Sequence, residues 1–299
     1  MLRLTSYVSF WLSITLLSCG CDASQAVSKL NPIPLASPAI QTSPDSAAKF
    51  KTFDDFIADR ALSLGGYRVT KRDKTVRVAD YPKPVDVTYA IVTRKGKLVS
   101  KFEGFAGNYY PLGNTTDLGL FSFLGGRSKQ LVVEQTQPRN WTHWIVDFSP
   151  RYHIVFDGPT WGVTRELAYA DIDGDGIQEI SQAVPAFVFF ENLTNATSHL
   201  IDVVFRYDRK TKQYLPANQT FQKYSLAGIG DQIKGLDKSD ALKFKSDVLF
   251  VVLRYIYAGK RDEAWSFYNR EYNLPDKEPL RGKILATLRD EPVYKFLYR

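Results

Sequence analysis

Between Tyr67 and about Leu226 the chain alternates apolar with polar residues at a period of two, and turn residues interrupt the alternation at short intervals. This pattern predicts short, half-buried strands joined by tight turns. The composition agrees, because 14% of the residues are aromatic and only one is methionine, and a core built from rings and β-branched side chains favours strands. The predicted strands are 67–71, 75–80, 85–93, 97–103, 118–123, 130–135, 143–148, 152–156, 164–170, 178–184, 186–190, 200–207 and 213–216.

A short helix is predicted ahead of the first strand. Thr52 can cap it, and Phe53 and Phe56 lie on one apolar face at helical spacing. The two glycines at 65 and 66 would end this helix.

The chain returns to a helical period from Asp237 onward. The spacing predicts helices over 239–257 and 261–272, and helical turns follow Asp276 and Asp290. We therefore expect a β-rich domain over 52–230 and a helical subdomain over 237–299, which either packs against the sheets or serves as an interaction module.

A faint internal repeat relates residues 121–133 to residues 170–182. Each copy precedes a predicted hairpin, and the hairpin near 89–99 resembles the second half of an earlier copy. Units of this size match four-stranded antiparallel blades, but three of them are too few for a closed propeller. The expected fold class is mainly β with an α-helical C-terminal part, arranged as blade-like or sandwich-like repeats and not as a full propeller.

The N-terminus has the pattern of an export signal. One charge at Arg3 precedes an apolar stretch that is too short for a membrane span, which is typical of a signal peptide over residues 1–18. The stretch ends in Leu16-Leu17-Ser18-Cys19, which resembles the lipobox of bacterial lipoproteins. The resemblance implies that Cys19 becomes the first residue and carries fatty acyl chains such as palmitate, which together anchor a protein lastingly. The alternative is a plain secretory signal peptide.

The cysteines fit lipidation better than redox chemistry. Cys19 and Cys21 are the only two in the chain, so the folded part contains no disulfide framework and no thiolate metal site. Residues 19–51 are rich in Pro, Ser and Ala, which is typical of a flexible tether between a lipid and a domain.

The stretch 171–180 carries the most specific chemistry, and it reads Asp-Ile-Asp-Gly-Asp-Gly-Ile-Gln-Glu-Ile. Calcium binds six to eight oxygen atoms, and carboxylates at alternate positions of a tight loop can converge on one ion. Gly176 permits the left-handed backbone that turns the next carbonyl inward. An EF-hand would require an acid at position 12, where this chain has Gln182.

The same residues resemble the calcium loops of FG-GAP and VCBS-like repeats, which belong to integrin-type β-propellers. The resemblance covers about fifty residues and implies five calcium ligands: Asp171, Asp173, Asp175, the carbonyl of Ile177, and Glu179. The related copy at 121–133 has Ser122, Leu124 and Gly126 in place of acids, so it cannot bind metal. The alternative is an Asp-Gly turn held by side-chain hydrogen bonds without metal.

The sequence contains none of several common catalytic motifs, which favours a binding protein rather than an enzyme. No nucleophile elbow, zinc-protease helix or nucleotide-binding glycine motif occurs, and His143, His153 and His199 lack metal-ligand spacing. Removal of Arg3 with the signal peptide leaves a net charge of about +6, and the default interpretation of this charge is a solvated face. For an exported chain the candidate partners are anionic polysaccharide or lipid headgroups and not nucleic acid.

The leading hypothesis is therefore a calcium-binding lipoprotein that serves as a binding or scaffold module of the cell envelope. It would face the periplasm or the exterior, with the membrane, an anionic envelope polysaccharide or another envelope protein as partner. In a Gram-negative organism, Gly20 after the lipidated cysteine implies the outer membrane. One alternative is an envelope hydrolase that acts on glycan or peptide with two carboxylates, such as Glu166 and Asp202. Another is a eukaryotic secreted glycoprotein with N-x-T acceptors at Asn114, Asn140, Asn192, Asn195 and Asn218.

Overall fold

The structure is a computed structural model that describes residues 49–77, 83–103, 113–137, 140–194 and 197–299. The predicted signal peptide, Cys19 and the tether up to residue 48 lie outside the described residues. The fold class is confirmed: the described chain is mainly β, with three antiparallel sheets and a helical C-terminal part, and its sheets form neither a closed barrel nor a propeller.

The strands follow one another along the chain in three groups. In chain order they are β1 (Lys51–Thr52), β2 (Phe56–Ile57), β3 (Ala61–Leu64), β4 (Tyr67–Val76), β5 (Val85–Arg94), β6 (Lys97–Phe102), β7 (Thr115–Phe121), β8 (Gln130–Gln137), β9 (Asn140–Asp147), β10 (His153–Asp157), β11 (Thr164–Ala170), β12 (Glu179–Val184), β13 (Ile201–Asp208) and β14 (Gln213–Pro216). The first sheet has the order β3-β4-β5-β6, the second β2-β7-β8-β9-β10 and the third β1-β11-β12-β13-β14. Each sheet is therefore an antiparallel meander to which one short N-terminal strand is added.

The short N-terminal strands belong to one extended segment, residues 51–64, which we call the strap. It pairs with the first meander strand of each sheet in turn: β1 with β11, β2 with β7, and β3 with β4. The helix predicted from Thr52 is therefore wrong. Short apolar runs fit either period, and here pairing with distant strands decides the conformation.

Phe53 holds the strap between the second and third sheets. Its backbone N–H donates to the carbonyl of Leu167 at 2.7 Å, and its ring is buried against Phe56, Phe121 and Phe123. Gly119 lies under this ring, because a Cβ there would be 2.6 Å from the Phe53 Cζ.

The second sheet is buried on both faces. Leu131 and Val133 of β8 belong to the core shared with the first sheet, whereas Val132 belongs to the core shared with the third sheet and the helices. Because both faces of β8 are covered, this strand is not half-buried as the alternating pattern predicts, and its buried side chains include the polar residues Gln130, Glu134, Gln135 and Gln137.

The chain also contains seven α-helices among the described residues. They are α1 (Gly158–Trp161), α2 (Gln222–Ser225), α3 (Ile229–Lys234), α4 (Ala241–Tyr257), α5 (Arg261–Glu271), α6 (Lys277–Asp290) and α7 (Pro292–Leu297). Asp240 caps α4 by accepting from the N–H groups of Leu242 and Lys243. Val252 of α4 and Ile284 of α6 share one hydrophobic cluster with Val203 of β13, so the helices pack on the third sheet. Within the described chain, no helix is both long and apolar enough to cross a bilayer.

Three of the predicted strands differ from the structure. The spacing predicts separate strands over 67–71 and 75–80, but β4 pairs with β5 without interruption from Tyr67 to Val76, and residues 78–80 lie outside the described residues. Residues 186–190 form turns and the start of a 3₁₀ helix, because Phe189 and Glu191 have positive φ angles that a strand does not allow.

Gly119→Ala should destabilise the protein by forcing the strap away from β7. Overpacking of this kind costs about 1–3 kcal/mol, which lowers the melting temperature of a domain this size by about 2–10 °C. Gly282→Ala is the control, because Gly282 lies in α6 with open space around its Cα, and alanine there should stabilise by about 0.5–1 kcal/mol. Equal melting temperatures for the Gly119→Ala and wild-type proteins would contradict the tight contact with Phe53.

Candidate metal centre

The acid-rich stretch forms the connection between β11 and β12, and we call residues 171–178 the acidic loop. Ala170 pairs with Glu179 at the base of this loop. Antiparallel pairing therefore brings Glu179 back beside Asp171, although eight positions of sequence separate them. The loop lies within the third sheet, so its two ends are held by strands paired on both sides.

Backbone hydrogen bonds from its own side chains shape the acidic loop. Asp171 Oδ2 accepts from the N–H of Gly176 at 3.0 Å, and Asp173 Oδ1 accepts from the N–H of Asp175 at 3.3 Å. Gly176 has φ +80°, as the predicted left-handed turn requires. These bonds are those of an Asp-Gly turn, so the loop can keep its shape without a metal.

Three of the predicted carboxylates converge. Asp171, Asp173 and Glu179 each place an oxygen within 4.8 Å of the others. Asp175 does not join this group; its Oδ1 accepts from the N–H of Ile177, and its Oδ2 faces outward. The side chain of Ile177 is buried, which fixes this end of the loop to the protein.

Glu179 is the most unusual member of the group, because its side chain is completely buried. Its Oε2 accepts from the N–H of Ile172 at 2.8 Å, but its Oε1 has no hydrogen-bond partner among the described residues, and neither has the buried Oδ1 of Asp171. Burial raises the pKa of Glu179 to about 7; the hydrogen bond from Ile172 opposes this shift, and the negative charges of Asp173 and Asp175 add to it. Buried carboxylate oxygens normally have partners, so a hard cation fits this donor set.

Two arginines that sequence reasoning missed lie beside the acids. Arg206 Nη2 is 2.6 Å from Asp173 Oδ2 and 3.7 Å from Asp175 Oδ2, and Arg209 Nη2 is 3.8 Å from the same Asp175 oxygen. Both arginines belong to the hairpin of β13 and β14. The register of β12 and β13, which pairs Ile180 with Phe205, places Arg206 across from Glu179. A prediction of which strands pair, and in which register, would have been needed to find these two arginines from the sequence.

The related copy of the repeat contains a loop without acids, residues 122–129, which connects β7 and β8 and which we call the acid-free loop. Its Gln130 occupies the place of Glu179 and is also completely buried. The side-chain oxygen of Gln130 accepts from the N–H of Leu124 at 3.2 Å, and its amide nitrogen donates to Asp147 at 3.4 Å. Both polar atoms of the Gln130 amide therefore have hydrogen-bond partners, whereas only one of the two carboxylate oxygens of Glu179 has one.

The two loops touch. The carbonyl of Phe123 accepts from the N–H of Gln178 at 2.8 Å, and a Cβ on Gly125 would be 2.6 Å from the carbonyl oxygen of Gly176. The acid-free loop thus packs directly against the acidic loop.

A polar cluster away from the acidic loop joins the second and third sheets. His143 Nε2 is 2.7 Å from Glu134 Oε2, and His143 Nδ1 is 3.3 Å from the side-chain oxygen of Gln182. All three side chains are buried. Since Glu134 and His143 are a cross-strand pair, this cluster is part of the sheet interior, as expected for a strand histidine.

The two acids considered for a hydrolase are arranged differently. Asp202 pairs with Arg165 at 2.8 Å and lines a cavity of about 310 Å³, together with Tyr224 and Arg254. Burial raises the pKa of Asp202, and the charge of Arg165 opposes that shift. Glu166 is exposed and is not among the residues that line the cavity. The cavity therefore contains one of the two carboxylates that acid–base hydrolysis needs.

No protein-family model matches this chain, and neither the curated proteins nor the solved structures include a significant match.

Gly125→Ala should weaken the acidic loop through the close contact with Gly176. Its control is Gly126→Ala: both glycines have positive φ, +73° and +71°, so alanine is strained equally at either place, but Gly126 has open space around it. Only Gly125→Ala adds overpacking of about 1–3 kcal/mol. Thermal melts should therefore rank Gly125→Ala below Gly126→Ala, and identical melts would show that the loops do not support each other.

Proposed function

We propose that this protein is a calcium-binding lipoprotein that acts as a binding or scaffold module of the cell envelope, with calcium as a structural staple. One observation carries the calcium part. Glu179 Oε1 and Asp171 Oδ1 are buried carboxylate oxygens without a hydrogen-bond partner in the described chain, and both belong to the cluster where the acids converge. A bound cation would satisfy both.

The charges support the same ion. Asp171, Asp173, Asp175 and Glu179 bring four carboxylates, and two arginines face them. If all four acids are ionised, two negative charges remain uncompensated, which equals the charge of one divalent cation. Calcium suits the site better than magnesium, because it accepts irregular sets of six to eight oxygens and sheds water more readily. The carbonyl of Ile177 and water would complete the set.

The position of the loop explains why the ion would act as a staple. The acidic loop joins two strands inside the third sheet and lies against the acid-free loop of the second sheet. An ion held there stabilises the junction of two sheets. Nothing in this arrangement requires the ion to take part in a reaction.

The exposed surroundings of the loop suggest an anionic partner. A groove of about 490 Å³ is lined by Asp175 together with Arg209 and Lys212. Lys210 in the same hairpin is also exposed. Cations beside a bound calcium ion would attract the carboxylates or phosphates of an envelope polysaccharide.

The lipid anchor is inferred from Leu16-Leu17-Ser18-Cys19 alone. Attachment through Cys19 would place the folded part at the membrane, on the periplasmic or outer side.

The eukaryotic glycoprotein is less well supported. Asn114 and Asn218 are buried, and their side-chain oxygens accept from the N–H groups of Thr88 and Val204. A glycan acceptor must be exposed, so two of the five N-x-T sites do not fit this function.

Glu179→Gln should abolish the calcium response while leaving the fold intact. The substitution introduces the amide that Gln130 already provides beside the acid-free loop. The melting temperature of the variant in the presence of a chelator should therefore equal or exceed that of the wild type. Calcium at about a hundredfold excess over its dissociation constant should stabilise only the wild type, by about 2.7 kcal/mol or about 5–10 °C. Isothermal titration calorimetry should show binding near 10⁻⁴–10⁻³ M, as is typical of extracellular calcium modules.

The control for that experiment is Glu263→Gln, the same chemical change on the exposed surface of α5. It should keep the wild-type calcium response. If titration of the wild type shows no binding at millimolar calcium and a chelator leaves its melt unmoved, the acidic loop is an Asp-Gly turn and the calcium proposal is wrong.

Cys19→Ser should release the protein from the membrane fraction, because the thiol that receives the lipid is removed. Intact-mass analysis of the wild type should show an acylated N-terminal Cys19. The control is Cys21→Ser, which should stay in the membrane fraction. A wild-type protein that is cleaved elsewhere and carries no lipid would exclude the anchor.

A further inference from the structure

We propose that Arg206 competes with calcium for Asp173 and thereby sets the calcium affinity of the acidic loop. This inference rests on the calcium site proposed above and names the residue that regulates it. The site itself is marked by the completely buried Glu179, whose Oε1 has no partner in the described part of the chain.

Arg206 is held where it must meet the acids. Arg206 follows Phe205 in β13, and the side chain of Phe205 is buried in the core opposite Ile180. Because successive side chains of a strand point to opposite faces of the sheet, Arg206 lies on the same face as Glu179. The guanidinium lies over the ring of Phe221, 6.0 Å from its centre. The sheet therefore fixes the backbone of Arg206 beside the acids, while its side chain, which is 42% exposed, can withdraw into solvent.

Both oxygens of Asp173 already have partners without a metal. Oδ1 accepts from the N–H of Asp175 at 3.3 Å, and Oδ2 is paired with Arg206 Nη2 at 2.6 Å. A calcium ion lies about 2.3–2.6 Å from each ligand oxygen. An ion on Oδ2 would therefore come within about 5 Å of the guanidinium, where like charges repel strongly unless the arginine withdraws.

The carboxylate of Asp173 consequently has two alternative cationic partners. In one state, Arg206 pairs with Asp173; in the other, calcium does, and the guanidinium is displaced. By linkage, whatever stabilises the arginine-paired state weakens calcium binding by the same factor. Arg209 contributes less, because it faces only Asp175 and its side chain is mostly exposed.

Titration calorimetry and thermal melts of the full chain with Arg206→Gln test this role, and calcium chloride is the probe. Calcium should bind about fivefold more tightly to the variant, the factor that corresponds to losing one favourable ion pair. The melting temperature in chelator should fall, because the acids lose their partner, whereas saturating calcium should restore it. A purely structural arginine would lower stability in both conditions and would not tighten binding.

Two further variants separate charge from shape. Arg206→Lys keeps the positive charge and should bind calcium within about twofold of the wild type. Arg165→Gln removes an equivalent ion pair of the third sheet, Arg165 Nη1 to Asp202 Oδ1 at 2.8 Å, and should leave calcium affinity unchanged.

The outcomes distinguish this inference from the calcium site itself. Calcium binding that is equal or weaker in Arg206→Gln than in the wild type overturns the competition and leaves the site standing. Absence of binding in the wild type and in every variant overturns both.

Discussion

The fold depends on the pairing of the strap with the first strand of each meander, and two of these strands, β7 and β11, lie far from it in sequence. Each meander would otherwise expose its whole first strand, and an unpaired edge invites association with other chains. The strap covers part of each edge with strands of two to four residues, which are too short to recruit a further partner. Since Lys51 pairs with Tyr169, these contacts close long loops, and their entropy must be offset by burial such as that of Phe53. The strap thus makes three sheets into one structure.

The second and third sheets have the same arrangement of strands but differ in the residues of one loop. Both have a loop between their first two meander strands, and both place a buried polar side chain at the start of the next strand, Gln130 in one and Glu179 in the other. The amide closes its loop with hydrogen bonds alone. The carboxylate retains an unpaired oxygen and a raised pKa, which is the state that a cation relieves. The acid at this position, together with the three aspartates that the other loop lacks, therefore separates a self-sufficient turn from a candidate metal centre.

Arginine also enters this balance. Four acids in nine positions repel one another, and the adjoining hairpin answers with Arg206 and Arg209. This pairing compensates part of the acidic charge, and in the proposed calcium site the same pairing would oppose the ion. Stability without metal and affinity for metal would then be opposed at Asp173. The proposed site would tolerate this where calcium is abundant and tight binding is not needed.

The sequence by itself determined what depends on neighbouring residues: the period-two strands, the helices α4 and α5, the repeat that relates the two loops, and the convergence of Asp171, Asp173 and Glu179, because an antiparallel hairpin must bring its ends together. It also predicts lipidation of Cys19, and this stays a prediction. Only the tertiary structure decided what depends on distant partners. The strap forms β1 and β2 because the remote edges of β11 and β7 were available, whereas β3 pairs with the neighbouring β4. Residues 186–190 form turns in which the side chain of Phe187 is buried, and the hairpin of β13 and β14 brings two arginines to Asp175. Local periodicity carries no information on which strands will be neighbours, and that pairing determined both the strap and the charge around the acidic loop.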